Sequence, residues 1–530
     1  MALHYGNKIV TKDLLLYLDA ANPGSYNPLS AVEVLVVAGG GGGGMDMGGG
    51  GGGGGVIYNP AYQVASNSAI TVTVGAGGWG APTGGAYRGD GVGPQAGSHQ
   101  FTVSATAGGN SVFGSLTAIG GGFGASSYYG YTPNYGTGGT GGSGGGCSGY
   151  THGGRRTVDN GTVDQGYSGG DSGDPASGAN SHYSGGGGGA SQAGADGPAR
   201  PNGGAGVRYL QMSPYYFAGG GGGATHPPSS GNGGHGGLGG GGGGASWEGS
   251  GGLGDTNGIF PATNGAAGAQ VPGGHAGKNT GGGGGGGTHY NYNNAGGNGG
   301  SGIVIVRYPG PPAATGGTIT QVDGFTHHTF YESGTFTPKA WTEWRDLSGN
   351  GWVATMSNLS ENNWVTNNGT KVFETNDTDN QGFRITGFPF PQNGRTYEIW
   401  LNSKSYGVGW QTWFDDGGGE RILFGTNTNT VFVYPSNNFT ANLVAGEWYH
   451  IAYTLTGAQN STATAYKNGE SLGSGTFTYP LATSGTLYLL GDGGGEVTSG
   501  YYGVIRVYDR CLTAAEIQQN FNAQKSRFIR

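Results

Sequence analysis

Cysteine, charge and long apolar runs are all scarce in this 530-residue chain. It has 2 Cys, 10% charged residues and a net charge of −8, with 22 Lys plus Arg against 30 Asp plus Glu. Two cysteines cannot staple a disulfide scaffold. Cys147 lies in a Gly/Ser stretch and Cys511 between a strand pattern and a helix pattern, so no pairing is expected. No basic stripe is present to neutralise phosphates, which excludes nucleic acid as the main partner. No run of about 18 apolar residues occurs, so membrane insertion is not expected. The opening MALHYGNKIVTKD has no apolar core of a secretory signal. Collagen is excluded because the strict Gly-X-Y period is missing.

What the chain has is glycine, 128 residues of it, most between Ala31 and Gly310. Glycine loses more conformational freedom on ordering than any other residue, so ordered glycine needs a regular, densely hydrogen-bonded packing. Two buried-strand patterns bracket this region, VEVLVVA (32–38) and SGIVIVRY (301–308). Between them come unbroken runs at 39–44, 48–55, 185–189, 219–223, 239–244 and 281–287. They alternate with Tyr-, Asn-, Ser- and His-rich segments such as SSYYGYTPNYG (126–136), GYTHGGRRTVDNG (149–161) and THYNYNNAGGN (288–298). A flexible linker needs neither matched strands nor bulky aromatics. Left-handed helices of three residues per turn form no internal hydrogen bonds, so all-glycine copies can pack closely and satisfy one another. The runs are therefore expected to build a polyglycine II lattice, with the Tyr/Asn-rich segments as displayed loops.

That alternation resembles the distal adhesins at the tips of T-even-type phage long tail fibres. The flanks VEVLVVAGGGGGG and GGSGIVIVRYPG, with ATGGTITQVDGFTHHTFYESGTFTP (314–338), look like the Gly-rich domain of predicted phage tail proteins. The resemblance implies receptor contact through the loops. Candidate contact residues are Tyr128, Tyr129, Tyr131, Tyr135, Arg155, Arg156, Tyr215, Tyr216, Tyr290 and Tyr292. Tyrosine offers large contact area at low entropy cost, and its hydroxyl can bond sugar or peptide. The plainer reading is that these tyrosines are lids packed on the lattice.

The rest of the chain reads as short alternating strands bounded by Gly, Asn or Pro: TYEIWLN (396–402), RILFGTN (421–427), NTVFVYP (429–435), EWYHIAYTL (447–455), ATAYKNG (463–469) and GTLYLLG (485–491). YGVIRVYDR (502–510) leads to Thr513 and Glu516, a capping box opening a terminal helix. Such spacing suggests a two-sheet sandwich. The motifs WYHIAYT, AYKNGESLGSG and YYGVIRVYDRCLTAAEIQQNF resemble the laminin-G/concanavalin-A-like jelly roll found in phage proteins. KIVTKDLLLYLDAANPGSY (8–26) and WTEWRDLSGNG (341–351) resemble two halves of that domain's opening. The expected fold is all-β: a jelly-roll sandwich from 1–30 plus 340–530, split by a glycine-rich module at 31–310, with 311–339 a β-hairpin linker belonging to that module.

Catalytic signals are thin. Glycosidases on this sandwich need two carboxylates about 5–5.5 Å apart, or wider for inversion. Glu398 and Glu447 each stand alone. Clustered oxygens in WFDDGGGE (413–420) and GDGGGE (491–496), together with Asp19 and Asp346, would suit a structural calcium ion. Asp-Gly turns explain the same residues without metal. The eleven histidines lack metal-ligand spacing, and no Lys follows the Gly runs as a phosphate loop requires. The expectation is a non-enzymatic virion protein without cofactor, located on a tail or fibre. Its partners would be other virion proteins and a host polysaccharide or outer-membrane protein. The alternative is a capsid decoration or head fibre without receptor duty. Fibre resemblance admits a homotrimer, tip resemblance a monomer.

Overall fold

The computed structural model describes residues 8–22, 24–26, 29–82, 105–127, 136–149, 160–172, 182–197, 200–226, 231–268, 270–288, 294–376, 381–406, 411–415, 423–427, 430–434, 437–457, 459–478, 482–491 and 498–529. The chain divides into two compact units, Met1–Pro28 with Ala340–Arg530, and Leu29–Lys339.

The first unit is a sandwich of two antiparallel sheets of eight strands each. Arg395–Ser403 lies between Gly500–Tyr508 and Tyr449–Leu455 at the centre of one sheet, and Leu14–Asp19 pairs along Gly500–Tyr508. Alternation then sorts the side chains. Tyr397, Ile399, Leu401, Ile451, Tyr453 and Leu455 enter the interior with Trp344, Phe383, Trp413 and Leu487 from the facing sheet. Trp400 and His450 point the other way, under the terminal helix Ala514–Phe528. Phe521 and Phe528 stack on Trp400 there, at 5.7 and 4.6 Å. The helix starts where the capping box requires: Thr513 Oγ1 accepts from Glu516 N, and Glu516 accepts from Thr513 N. Arg510 forks onto the Glu516 carboxylate and holds its pKa down at about 2.

The second unit begins with ordinary strands. One sheet runs in the order Thr318–Val322, Phe325–Phe330, Ile303–Pro309, Ala31–Val37, Val56–Gln63. A second contains Ala314–Thr315, Gly334–Pro338, Ile70–Thr73, Ser111–Phe113 and Leu116–Ala118. Residues 311–339 thus supply strands to both sheets. Val32, Val34, Val36, Val304 and Val306 face the second sheet through Val72, Phe113 and Phe336. Leu35, Val37, Ile303 and Ile305 face Met212 and Phe217 on the opposite side. This two-sided burial explains the unbroken apolar runs of both flanks.

Three strands continue directly into glycine: Ala31–Val37 into 38–44, 48–55 into Val56–Gln63, and 295–302 into Ile303–Pro309. The run 48–55 has six neighbours, sorted by a period of three. Gly48, Gly51 and Gly54 donate backbone hydrogen bonds to Gly287, Gly284 and Gly281. Gly49, Gly52 and Gly55 donate to Ala125, Gly122 and Ile119, and Gly50 and Gly53 to Gly185 and Gly188. In return the run accepts from Gly44, Gly41 and Ala38, from Gly146 and Ser143, and from Ala224 and Gly221. These bonds are 2.7–3.1 Å long. A Cβ on Gly50, Gly51 or Gly52 would collide with the carbonyl oxygen of Gly221, Gly41 or Ser143 respectively. Side-chain-free contact on every side is what fixes glycine here.

Candidate functional site

The hydrogen-bond registers give the lattice two distinguishable ends. At one end stand Ala38, Gly55 and Gly302, where the strands join. At the other stands the turn Met45–Asp46–Met47, between Gly44 and Gly48. Ser127 N donates to Met45 O and Asp46 O, and Gly149 N to Met47 O. Gly287 exchanges backbone bonds with Gly44 and Gly48, Ala224 N donates to Gly48 O, and Ala81 N donates to Gly43 O. The described residues that lead into 83–104, 128–135, 150–159, 227–230 and 289–293 therefore all stand at or beside the end opposite the sheets.

Of the sequence candidates, Tyr128, Tyr129, Tyr131, Tyr135, Arg155, Arg156, Tyr290 and Tyr292 lie outside the described residues. Tyr215 and Tyr216 are described, and they stand at the sheet end. Their segment folds back through paired backbone bonds between Val207 and Phe217, and Phe217 is buried on Leu35 and Ile303. Tyr215 is 40% exposed and Leu210 is 67% exposed, while the Arg208 guanidinium lies 4.7 Å from the Tyr216 ring centroid. Tyr215 and Tyr216 therefore stand at the end opposite the described residues that lead into those segments.

Sequence reading missed the polar cluster beneath this segment. Tyr209 stacks on Tyr58 at 4.7 Å, Tyr58 Oη donates to Glu33 at 2.9 Å, and Glu33 pairs with Arg307. Arg307 lies 3.5 Å from the Phe325 ring centroid. Burial raises the pKa of Tyr58 and Tyr209, and burial followed by the Arg307 charge lowers that of His327. Glu33 in VEVLVV and Arg307 in IVIVRY, single charges in apolar strands, were the available signal. At the opposite end His226 and Trp247 meet edge-on at 4.8 Å. A lone Trp after the run 239–244 was the only sequence sign of that contact.

In the sandwich Glu398 is buried at 1% exposure and occupied on all sides. Arg506 Nε donates to it at 2.7 Å and Asn520 Nδ2 at 3.0 and 3.1 Å, beneath the terminal helix. His450 Nε2 lies 3.7 Å from the same carboxylate, and burial, then the Arg506 charge, pushes its pKa well below the ordinary value. Asp19 is taken by Arg527 at 2.7 and 2.8 Å. Asp346 accepts from Tyr17 N and Ser348. Among the described residues no three His, Cys, Asp or Glu converge as a metal site; residues 416–420 and 492–496 lie outside them.

Residues 376–518 match the concanavalin A-like lectin/glucanases superfamily, and residues 23–271 match the glycine-rich domain family. No curated protein sequence matches the chain. Among solved structures, domain 4 of an extracellular arabinanase from Geobacillus stearothermophilus, in complex with arabinotriose, is similar at 17% identity and TM-score 0.28, over 34% of this chain and 98% of that one. Trypanosoma rangeli sialidase in complex with sialic acid is similar at 16% identity and TM-score 0.28, over 36% of this chain and 32% of that one. The binding domain of botulinum neurotoxin serotype D is similar at 10% identity and TM-score 0.28, over 34% and 48%.

Proposed function

We propose that this protein is an adhesin of a phage tail or tail fibre, binding a host surface glycan or outer-membrane protein without catalysis. The observation that carries the reading is the polarity of the glycine lattice. Six-neighbour backbone bonding makes a body with no side chain to vary at its centre. Described residues leading into the Tyr-, Asn- and Ser-rich segments stand at the end away from the sheets, so variation there leaves the lattice untouched. The chain enters this unit at Leu29 and leaves at Lys339, both on the sheet side. A lectin-type superfamily match in the sandwich favours carbohydrate as one ligand class. Glu398 is buried and held by Arg506 and Asn520 under a helix, which favours a structural role over that of a general acid.

The test is immunogold labelling of intact particles with an antibody against residues 126–136. Label at distal tail or fibre ends is the expected result. Label spread over the head would overturn the adhesin reading in favour of a capsid decoration protein.

A further inference from the structure

The flank of the glycine lattice carries an ordered row of side chains. Thr106 N donates to Trp79 O at 2.9 Å, and Trp79 N donates back to Thr106 Oγ1 at 2.8 Å. Gly80 N, the next amide, donates to Asn298 Oδ1 at 2.9 Å, and Asn298 N to His275 Nδ1 at 2.9 Å. His275 N in turn donates to Thr263 Oγ1 at 2.6 Å. Neighbouring segments thus place Thr106, Trp79, Asn298, His275 and Thr263 side by side, beside Gly42 and Gly43 of the lattice. Asn298 is half-buried and the others are exposed.

Capping explains part of this row. An outermost glycine helix has amides with no further helix to receive them, and side-chain acceptors satisfy those amides instead. Capping does not explain Trp79. Ala76, one period of three earlier and also exposed, fills the equivalent place with a methyl group. The Trp79 side chain is a large aromatic left 72% exposed.

The same capping consumes acceptors and leaves donors. With Oδ1 on Gly80 N, Asn298 has its Nδ2 amide to offer. With Nδ1 accepting from Asn298 N, the neutral His275 ring carries its proton on Nε2. The Thr106 hydroxyl accepts from Trp79 N and keeps its hydrogen for donation. A flat apolar ring with donors on both sides suits a ligand that has an apolar face and oxygen acceptors around its edge. A pyranose has that shape: its C–H groups stack on the indole while its hydroxyl oxygens accept. We infer that Trp79, with Thr106, Asn298 and His275, forms a saccharide-binding subsite on the flank of the lattice. The site goes beyond the contact proposed above, since it needs nothing from the segments entered beside the turn Met45–Asp46–Met47.

The test is binding of the full-length protein to an array of bacterial surface polysaccharides and their oligosaccharide fragments. The expected result is retention by at least one glycan, weakened about tenfold or more in Trp79→Ala. The melting temperature of that variant should match wild type, because the indole is exposed. Asn298→Asp keeps an oxygen for Gly80 N and removes the outward donor, so it should weaken the same binding and leave the fold intact. Val163→Ser removes an apolar side chain that is 83% exposed elsewhere on this unit and should leave binding unchanged. Retention by no glycan overturns the subsite. So does binding undiminished in Trp79→Ala, or equally diminished in Val163→Ser. Labelling of particles decides the adhesin reading separately. Label at tail ends with no glycan retained sinks the subsite alone, whereas label on the head with Trp79-dependent retention sinks the adhesin reading alone.

Discussion

The two units solve the same problem with opposite materials. In the sandwich, side chains hold the fold: Trp344, Trp413, Tyr397 and Ile505 fill a core between sheets, and ladder bonds satisfy the backbone locally. In the glycine lattice the backbone is both the core and its own glue. Gly51 touches nothing but other main chains, and its partners Gly284 and Gly221 come from distant parts of the sequence, while Gly41 belongs to the preceding glycine run. The lesson is that glycine, which weakens a helix or strand, becomes obligatory once packing is tight on six sides. The two materials should also fail differently.

The sharpest way to break the comparison is to add one methyl group to each. Gly51→Ala drives a Cβ into the Gly41 carbonyl with no flexible neighbour to yield. It should destabilise the lattice unit by about 4 kcal/mol or more, read as loss of one calorimetric transition with the other retained. Gly457→Ala in the sandwich meets only the Ser461 Cβ, at 3.7 Å, and should shift stability by less than about 0.5 kcal/mol. Next in size is Glu398→Gln, which leaves Arg506 buried without its charge partner. A loss of about 3–5 kcal/mol is expected, confined to the sandwich transition in urea or heat.

Acid sharpens the contrast further. His450 is neutral in the fold because burial and Arg506 depress its pKa, while the unfolded chain protonates near the ordinary value of about 6.5. The unfolded state therefore binds the extra proton, and stability present above about pH 6.5 is lost as pH falls below it. The sandwich melting temperature should drop between pH 7 and 5, and His450→Leu should flatten that slope. At the margin of the lattice two histidines accept backbone hydrogen bonds. His235 Nδ1 accepts from Leu253 N and His275 Nδ1 from Asn298 N. Burial, then the Arg200 charge, lowers the pKa of His235; its protonation in acid would remove that acceptor, so fraying should start there, visible as faster amide exchange at Leu253. Smallest of all, Trp79→Ser at 72% exposure should change stability by less than about 0.5 kcal/mol.

Much of this was readable beforehand, for physical reasons that differ by region. Period-two alternation marked EWYHIAYTL as a strand, and the Thr513/Glu516 spacing gave the helix start, because both signals are local. The flanks VEVLVVA and SGIVIVRY were legible as buried strands, and they prove to be neighbours, Val36 opposite Val304. What could not be read was lattice register. Which of three faces a glycine presents depends on partners more than a hundred residues away, as Gly51 with Gly284 shows. Hence the placement of Tyr215 and Tyr216 at the sheet end was invisible. The pairing of Glu398 with Arg506 was equally so, since it joins strands 108 positions apart.

The most direct test of the lattice itself is hydrogen exchange at the amides of Gly48 to Gly55. Six-sided backbone bonding predicts protection comparable to the central sandwich strand Arg395–Ser403, although these residues bury no side chain. Exchange at the rate of an unstructured glycine peptide would contradict the lattice, and with it the rigid, two-ended body on which the proposed function rests.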